Sequence, residues 1–328
     1  MQFRTEVEIP KYPFRIGYNT PTLFCGSCFT ENIGGIVRAL KMPVRVNPFG
    51  VIYNPYSIYN SLRVLMANKK YLETDLQRLN DTWFSYDFHT SHSSADKNEC
   101  LGRINREVNN GHAFLDQLQN LFITFGTARI YRLKANGRVV ANCHKVPAGE
   151  FSNELMDVDG IVELWTELLN DLISINPTIK VIFTVSPIRH WKDGAAGNQL
   201  SKSVLILATH KLMDKFPDNA FYFPGYEIMM DDLRDYRFYD DDMLHPSQKA
   251  IEYIWKKFES AFIDKISGEL IGKVQKIIQA VNHRPFSPHT SQHQQFIRQT
   301  LKSIDLIVKE HPAINFDEEL RILKGFIV

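Results

Sequence analysis

Two short apolar runs constrain this chain more than any other feature: Leu121-Phe122-Ile123-Thr124-Phe125 and Lys180-Val181-Ile182-Phe183-Thr184-Val185. Neither alternates apolar with polar residues, so neither is a strand with one wet face. Runs of this length, rich in Val, Ile and Phe and closed by Gly126 or by Ser186-Pro187, read as strands buried on both faces. Such a sheet needs helices above and below it. Val158 to Ile175 supplies one, with Ile161, Leu164, Trp165, Leu168, Leu169 and Ile173 along its apolar side. Ser247 to Phe262 supplies another, with Ile251, Ile254, Trp255 and Phe258 on one face. Strands at Leu23–Cys25 and Ala220–Phe223 continue the alternation, as do helices at Thr30–Leu40 (Thr30 as N-cap), Tyr56–Ala67 and Ser201–Phe216. Arg129–Leu133 and Arg138–Asn142 flank an Asn136-Gly137 hairpin turn. The order predicts an α/β fold: a three-layer α/β/α sandwich around a mostly parallel sheet.

After about Lys265 the strands stop. Ile266–Val281, Gln292–Glu310 and Asp317–Ile327 read as helices, with a turn over Asn282 to Pro288. The chain therefore divides into a main domain, residues 1–262, and a helical C-terminal extension, residues 263–328. Among the 328 residues, 38 basic and 37 acidic side chains nearly cancel, which argues against a nucleic-acid or membrane partner. The start of the chain, Met1 to Glu6, lacks the apolar core of a signal peptide, and no apolar run is long enough to cross a bilayer. The expectation is a cytoplasmic protein.

Gly26-Ser27 leaves a strand through a small-residue turn, a place where a hydroxyl is presented at a sheet's C-terminal edge. Serine needs a base to attack near neutral pH. Asp242-Met243-Leu244-His245-Pro246 offers one, because an Asp three residues before a His brings base and orienting carboxylate from one loop. Ser27, Asp242 and His245 thus form a candidate catalytic set. Candidate donors for a developing oxyanion are the Ser27 amide, Gly50, Gly126 with its following residues, and the side chain of Asn142. His144, Arg189 and Asn198 are candidate substrate contacts; Arg189 and His190 follow a buried strand, where α/β folds put their sites. Asp193-Gly194 beside Gly197 reads as a loop over the site, and Asp232 to Arg237 as a salt-linked scaffold for the Asp–His loop. Cys25-x-x-Cys28 admits a redox reading, and Cys25, Cys28, Cys143 and His144 a zinc reading. Small buried thiols are the simpler account, so no cofactor and no metal are expected.

The stretch Gly26-Ser27-Cys28-Phe29-Thr30 with Glu31-Asn32-Ile33-Gly34 resembles the signature of the GSCFA-domain family. The resemblance runs on through Asn47 to Pro55, Phe125-Gly126-Thr127-Ala128, Asn142-Cys143-His144-Lys145, Val185 to His190, Tyr226 to Met229, Asp232 to Tyr239 and Asp242 to Pro246. His283-Arg284-Pro285-Phe286 is similar to bacterial members. That family in turn resembles the SGNH (GDSL-like) hydrolases. The resemblance implies a flavodoxin-like three-layer sandwich with its site at the strand C-termini, and maps nucleophile, acid and base to Ser27, Asp242 and His245. It implies an esterase or O-acyltransferase working through an acyl-Ser27 intermediate. The substrate would be a small-molecule or carbohydrate acyl ester, an acetyl ester among them. Two blocks depart from that pattern: Cys25 stands before Gly26-Ser27, and Gly126-Thr127-Ala128-Arg129 lacks the superfamily's asparagine. An SGNH-like scaffold that binds a partner through its cleft is the alternative.

Overall fold

The structure is a computed structural model and describes residues 5–283 and 290–327. Its strands are β1 (Thr22–Gly26), β2 (Val44–Val46), β3 (Gln77–Leu79), β4 (Thr82–Phe84), β5 (Asn120–Phe125), β6 (Arg129–Leu133), β7 (Val139–Val140), β8 (Phe151–Leu155), β9 (Lys180–Val185) and β10 (Ala220–Tyr222). Its helices are α1 (Cys28–Ala39), α2 (Pro55–Met66), α3 (Lys97–Leu115), α4 (Val158–Ile175), α5 (Gly194–Lys215), α6 (Gly225–Glu227), α7 (Gln248–Phe262), α8 (Lys265–Asn282), α9 (Ser291–Glu310) and α10 (Asp317–Lys324).

The central sheet is all-parallel in the order β10-β9-β5-β1-β2. Side chains alternate cleanly across it. Leu23, Cys25, Leu121, Ile123, Phe125, Val181, Phe183 and Val185 meet α2, α3, α4 and α5 on one face. Phe24, Phe122 and Ile182 meet α1 and α7 on the other. The fold is therefore the α/β/α sandwich that the apolar runs demand. The chain leaves β1 toward one edge for β2, then returns past β1 to build β5, β9 and β10 on the other side. The C-terminal ends of β1 and β5 thus diverge at the point where an open α/β sheet reverses direction, which opens a crevice there.

Several elements differ from the sequence reading. Ser27, not Thr30, caps α1, so the helix begins immediately after the serine. The segment Asp193 to Gly197 is not a loop over the site: α5 starts at Gly194 and absorbs it. The Asn136-Gly137 hairpin forms, but β6 also pairs with β8 to make a separate three-stranded antiparallel sheet. Helix α3 had no clear signature, because its buried stripe is narrow: Cys100, Ile104, Val108 and Gly111. Of the turn expected at Asn282 to Pro288, residues 284–288 lie outside the described residues, as does most of His283 to Phe286. No described helix is long and apolar enough to cross a membrane.

Candidate active site

Strand β1 delivers the serine. At Gly26 the backbone takes φ +143°, and a Cβ there would lie 2.3 Å from the Thr124 carbonyl oxygen, so only glycine lets β1 run this close to β5. Ser27 follows as the N-cap of α1, its Oγ accepting the Phe29 N–H at 3.4 Å. The cap explains why the helix starts here and also fixes the hydroxyl at the helix's electropositive end. Ser27 is 1% exposed overall, yet it lines a crevice of about 450 Å³.

His245 lines the same crevice. Its Nδ1 lies 2.5 Å from Asp242 Oδ2, while Asp242 Oδ1 accepts the N–H groups of Leu244 (2.9 Å) and His245 (2.8 Å). The backbone bond from His245, the ring bond and the Leu244 amide hold the Asp242 carboxyl down to about 2. One carboxylate therefore sets both the loop's backbone and the imidazole's orientation, leaving Nε2 as the free ring nitrogen. The loop is closed by Asp240 N–H on the His245 carbonyl (2.7 Å) and Met243 N–H on the Asp240 carbonyl (2.9 Å), with Met243 at φ 59°. Upstream, buried Asp232 anchors the approach by accepting the Val7 N–H and the Tyr253 hydroxyl. Among the described residues no hydrogen bond joins Ser27 Oγ to His245, and Ser27 rests on its helix cap; nucleophile–base bonds commonly tighten when substrate is bound.

A family model, the GSCFA family, matches residues 21–258. The chain belongs to the GSCFA family. A second model, described as the GSCFA domain protein C-terminal domain, matches residues 274–327. No curated protein matches the chain.

In this GSCFA protein the other candidate residues part company. Arg189 and Asn142 line the crevice with Ser27 and His245. Asn142 Oδ1 accepts the His144 N–H at 2.8 Å, which leaves its NH₂ as the available donor. Gly50 does not line it: the Gly50 N–H closes a turn on the Asn47 carbonyl (2.7 Å), and the residue borders a separate small void. Gly126 packs against Ser27 Cβ, but its N–H is committed to the Tyr53 carbonyl (2.7 Å). The Ser27 amide is likewise used by the Thr124 carbonyl, at 3.2 Å. His144 is a core histidine, stacked on Phe84 with Nε2–H shared between the Phe88 and Ser85 carbonyls; burial drives its pKa down to about 4. Asn198 is buried and accepts the His190 N–H, fixing that loop rather than touching the crevice. Cys25 is sealed in the core with its thiol pushed up to about 12, so it makes no accessible redox pair with Cys28. Among the described residues no His, Cys, Asp or Glu cluster could hold a metal, so the zinc reading falls.

Two features of the crevice went unread in the sequence, the Cys28 amide and Lys202, and a third, His190, was read only from its place after a buried strand. Cys28, the first residue of α1, lines the crevice, and its N–H meets no backbone carbonyl outside the helix among the described residues. A donor on the residue after a nucleophile is the usual partner of an oxyanion, and the strand–Gly–Ser–helix order was the available signal. His190 lines the crevice edge-on to Tyr53, at 5.4 Å between centroids, and burial holds its pKa down to about 4. Lys202 is fully buried, donating from Nζ to the Gly126 and Ser186 carbonyls, both at 2.6 Å. It ties the ends of β5 and β9 together beneath the crevice, and burial lowers its pKa to about 7. No signal marked it, since polar and apolar residues are scattered around α5.

Proposed function

We propose that this GSCFA protein is a serine hydrolase of the SGNH type, moving an acyl group from an ester through an acyl-Ser27 intermediate. One observation carries the reading: Ser27 and a His245 already oriented by Asp242 face one crevice at the sheet's reversal point. In the first step His245 Nε2 takes the Ser27 proton as Oγ bonds to the acyl carbon. The ester C–O bond then breaks, and His245 returns the proton to the leaving alcohol. In the second step His245 deprotonates water or an acceptor alcohol, which attacks the acyl carbon and releases Ser27. The Cys28 amide and the Asn142 side chain are the donors best placed for the oxyanion.

The test is intact-mass labelling with a fluorophosphonate on wild type, Ser27→Ala and His245→Ala. The expected result is one adduct on wild type, none on Ser27→Ala, and labelling slowed by about 10²–10⁴ on His245→Ala. An adduct that survives Ser27→Ala but vanishes in Cys28→Ser would move the nucleophile to the neighbouring thiol, which borders the same crevice 3.8 Å from the Tyr53 hydroxyl. Well-folded wild type that takes no label would favour the second reading, a binding scaffold. The observation behind that reading is Ser27 Oγ resting on its helix cap instead of on His245.

A further inference from the structure

A second crevice of about 440 Å³ adjoins the first. Arg189, Trp191 and Leu244 line both, while Asp242 faces the second and His245 the first. The catalytic loop therefore stands as a low wall between two chambers. The second chamber is rimmed by aromatic rings held out to solvent: Tyr236 is 74% exposed and Trp191 54%, with Tyr239 5.9 Å from Tyr236 between centroids. Large exposed rings gathered around one hollow are a costly surface unless a ligand covers them. Their negatively charged faces suit the polarised C–H face of a sugar ring.

Charge at the wall adds a second constraint. Asp242 is spent on His245 and two amides, Asp235 pairs with Arg237, and Arg234 pairs with Asp231. Arg189 has no carboxylate within ion-pair distance among the described residues; its recorded contact is the Met230 sulfur at 3.6 Å, a weak acceptor. Lys192, which lines the first chamber, also lacks an acidic partner among the described residues. A part-buried guanidinium left without an anion favours one brought by a ligand, and its planar fork fits carboxylate or phosphate through two parallel bonds.

Building on the hydrolase reading above, we infer that the second chamber holds the alcohol half of the ester, a sugar ring carrying an anionic group. Its ring lies against Trp191 and Tyr236 and its anion reaches Arg189. The acyl group crosses Leu244 to meet Ser27.

The test is a ligand-observed NMR titration of Ser27→Ala, which cannot turn substrate over, with glucuronate, glucose 6-phosphate and glucose. The expected result is that one or both anionic sugars bind at least about tenfold tighter than glucose, a difference of about 1.4 kcal/mol. The better of the two identifies the anion. Adding Arg189→Met should bring its affinity to that of glucose, and Tyr236→Ala should weaken all three. Added salt should weaken the anionic sugars alone, a check that needs no change at Arg189. Equal affinity for glucose and both anionic sugars, or no binding by any at tens of millimolar, would overturn the inference. Fluorophosphonate labelling of the wild type separates the two claims. Labelling without sugar binding sinks the subsite alone; sugar binding without labelling sinks the hydrolase reading and keeps the subsite.

Discussion

Lys202 occupies a position where an ammonium is expensive and is kept by two carbonyls, so its replacement has a definite sign. Lys202→Met would leave the Gly126 and Ser186 carbonyls buried and unpaired, for a loss of about 2–4 kcal/mol in a denaturant melt. Because its pKa falls to about 7 from the ordinary lysine value of 10.5, the unfolded chain binds the extra proton between those two values and the native protein does not. This term adds stability as pH rises through that window, and Lys202→Met should abolish it in thermal melts at stepped pH. His144 and His190 act at lower pH. Both are held to about 4, so between the ordinary histidine value and 4 the unfolded state again binds more protons. Their share of stability is complete above about pH 6.5 and is lost as pH falls toward 4. A His144→Gln variant should show a shallower acid slope in the same melts, and an unchanged slope would mean that burial at His144 does not govern it.

At the scale of elements, the β1–turn–α1 unit concentrates the constraint, and two of its glycines should respond oppositely. Gly26→Ala drives a Cβ into the Thr124 carbonyl, prying β1 from β5, and should cost about 3 kcal/mol or more or abolish soluble expression. Gly35, inside α1, has open space where a Cβ would go, so Gly35→Ala should raise stability by about 0.5–1 kcal/mol. Urea melts of both variants check the pair. The sequence made the elements legible where one period ruled. Strand β9 and helix α4 begin and end where their apolar patterns put them, although α4 buries Leu172, which the pattern left out, and leaves Leu164 and Ile173 half-buried. Helix α3 escaped because its stripe is narrow, and α5 was read late because Gly194 and Gly197 mimic a loop. Ser27, Asp242, His245 and Arg189 could be gathered by order, since residues beyond the ends of parallel strands share one edge, whereas Asn142 follows β7 of the antiparallel sheet and that rule does not place it. What order does not encode is which hydrogen bonds are already spent: Gly50, Gly126, His144 and Asn198 follow the right elements but give their polar groups to the scaffold.

For the whole molecule, the helical tail is part of the core. Ile271, Ile304 and Phe316 join Ile16, Tyr18, Leu40 and Phe258 in one apolar cluster that crosses the boundary at residue 262. The attachments lie near Tyr18 and Lys41, before β1 and β2 begin, at the sheet edge opposite Ser27: Ser267 Oγ accepts the Tyr18 N–H, and Lys41 pairs with Glu319 at 2.6 Å. Ending the chain after Phe262 should therefore expose that cluster and yield aggregated protein, while Lys41→Met should cost about 1–3 kcal/mol by stranding a largely buried carboxylate. Light scattering and thermal melts read the two outcomes. The reversal of the sheet has one more consequence, a matter of time. Its first strand leads into Ser27, and His245 follows only after its last. At about 5–20 residues per second, a nascent chain makes Ser27 some 10–40 s before His245 exists. On the proposed hydrolase reading the hydroxyl lacks its base until then, and the emerging polypeptide stays chemically silent until the sheet is complete.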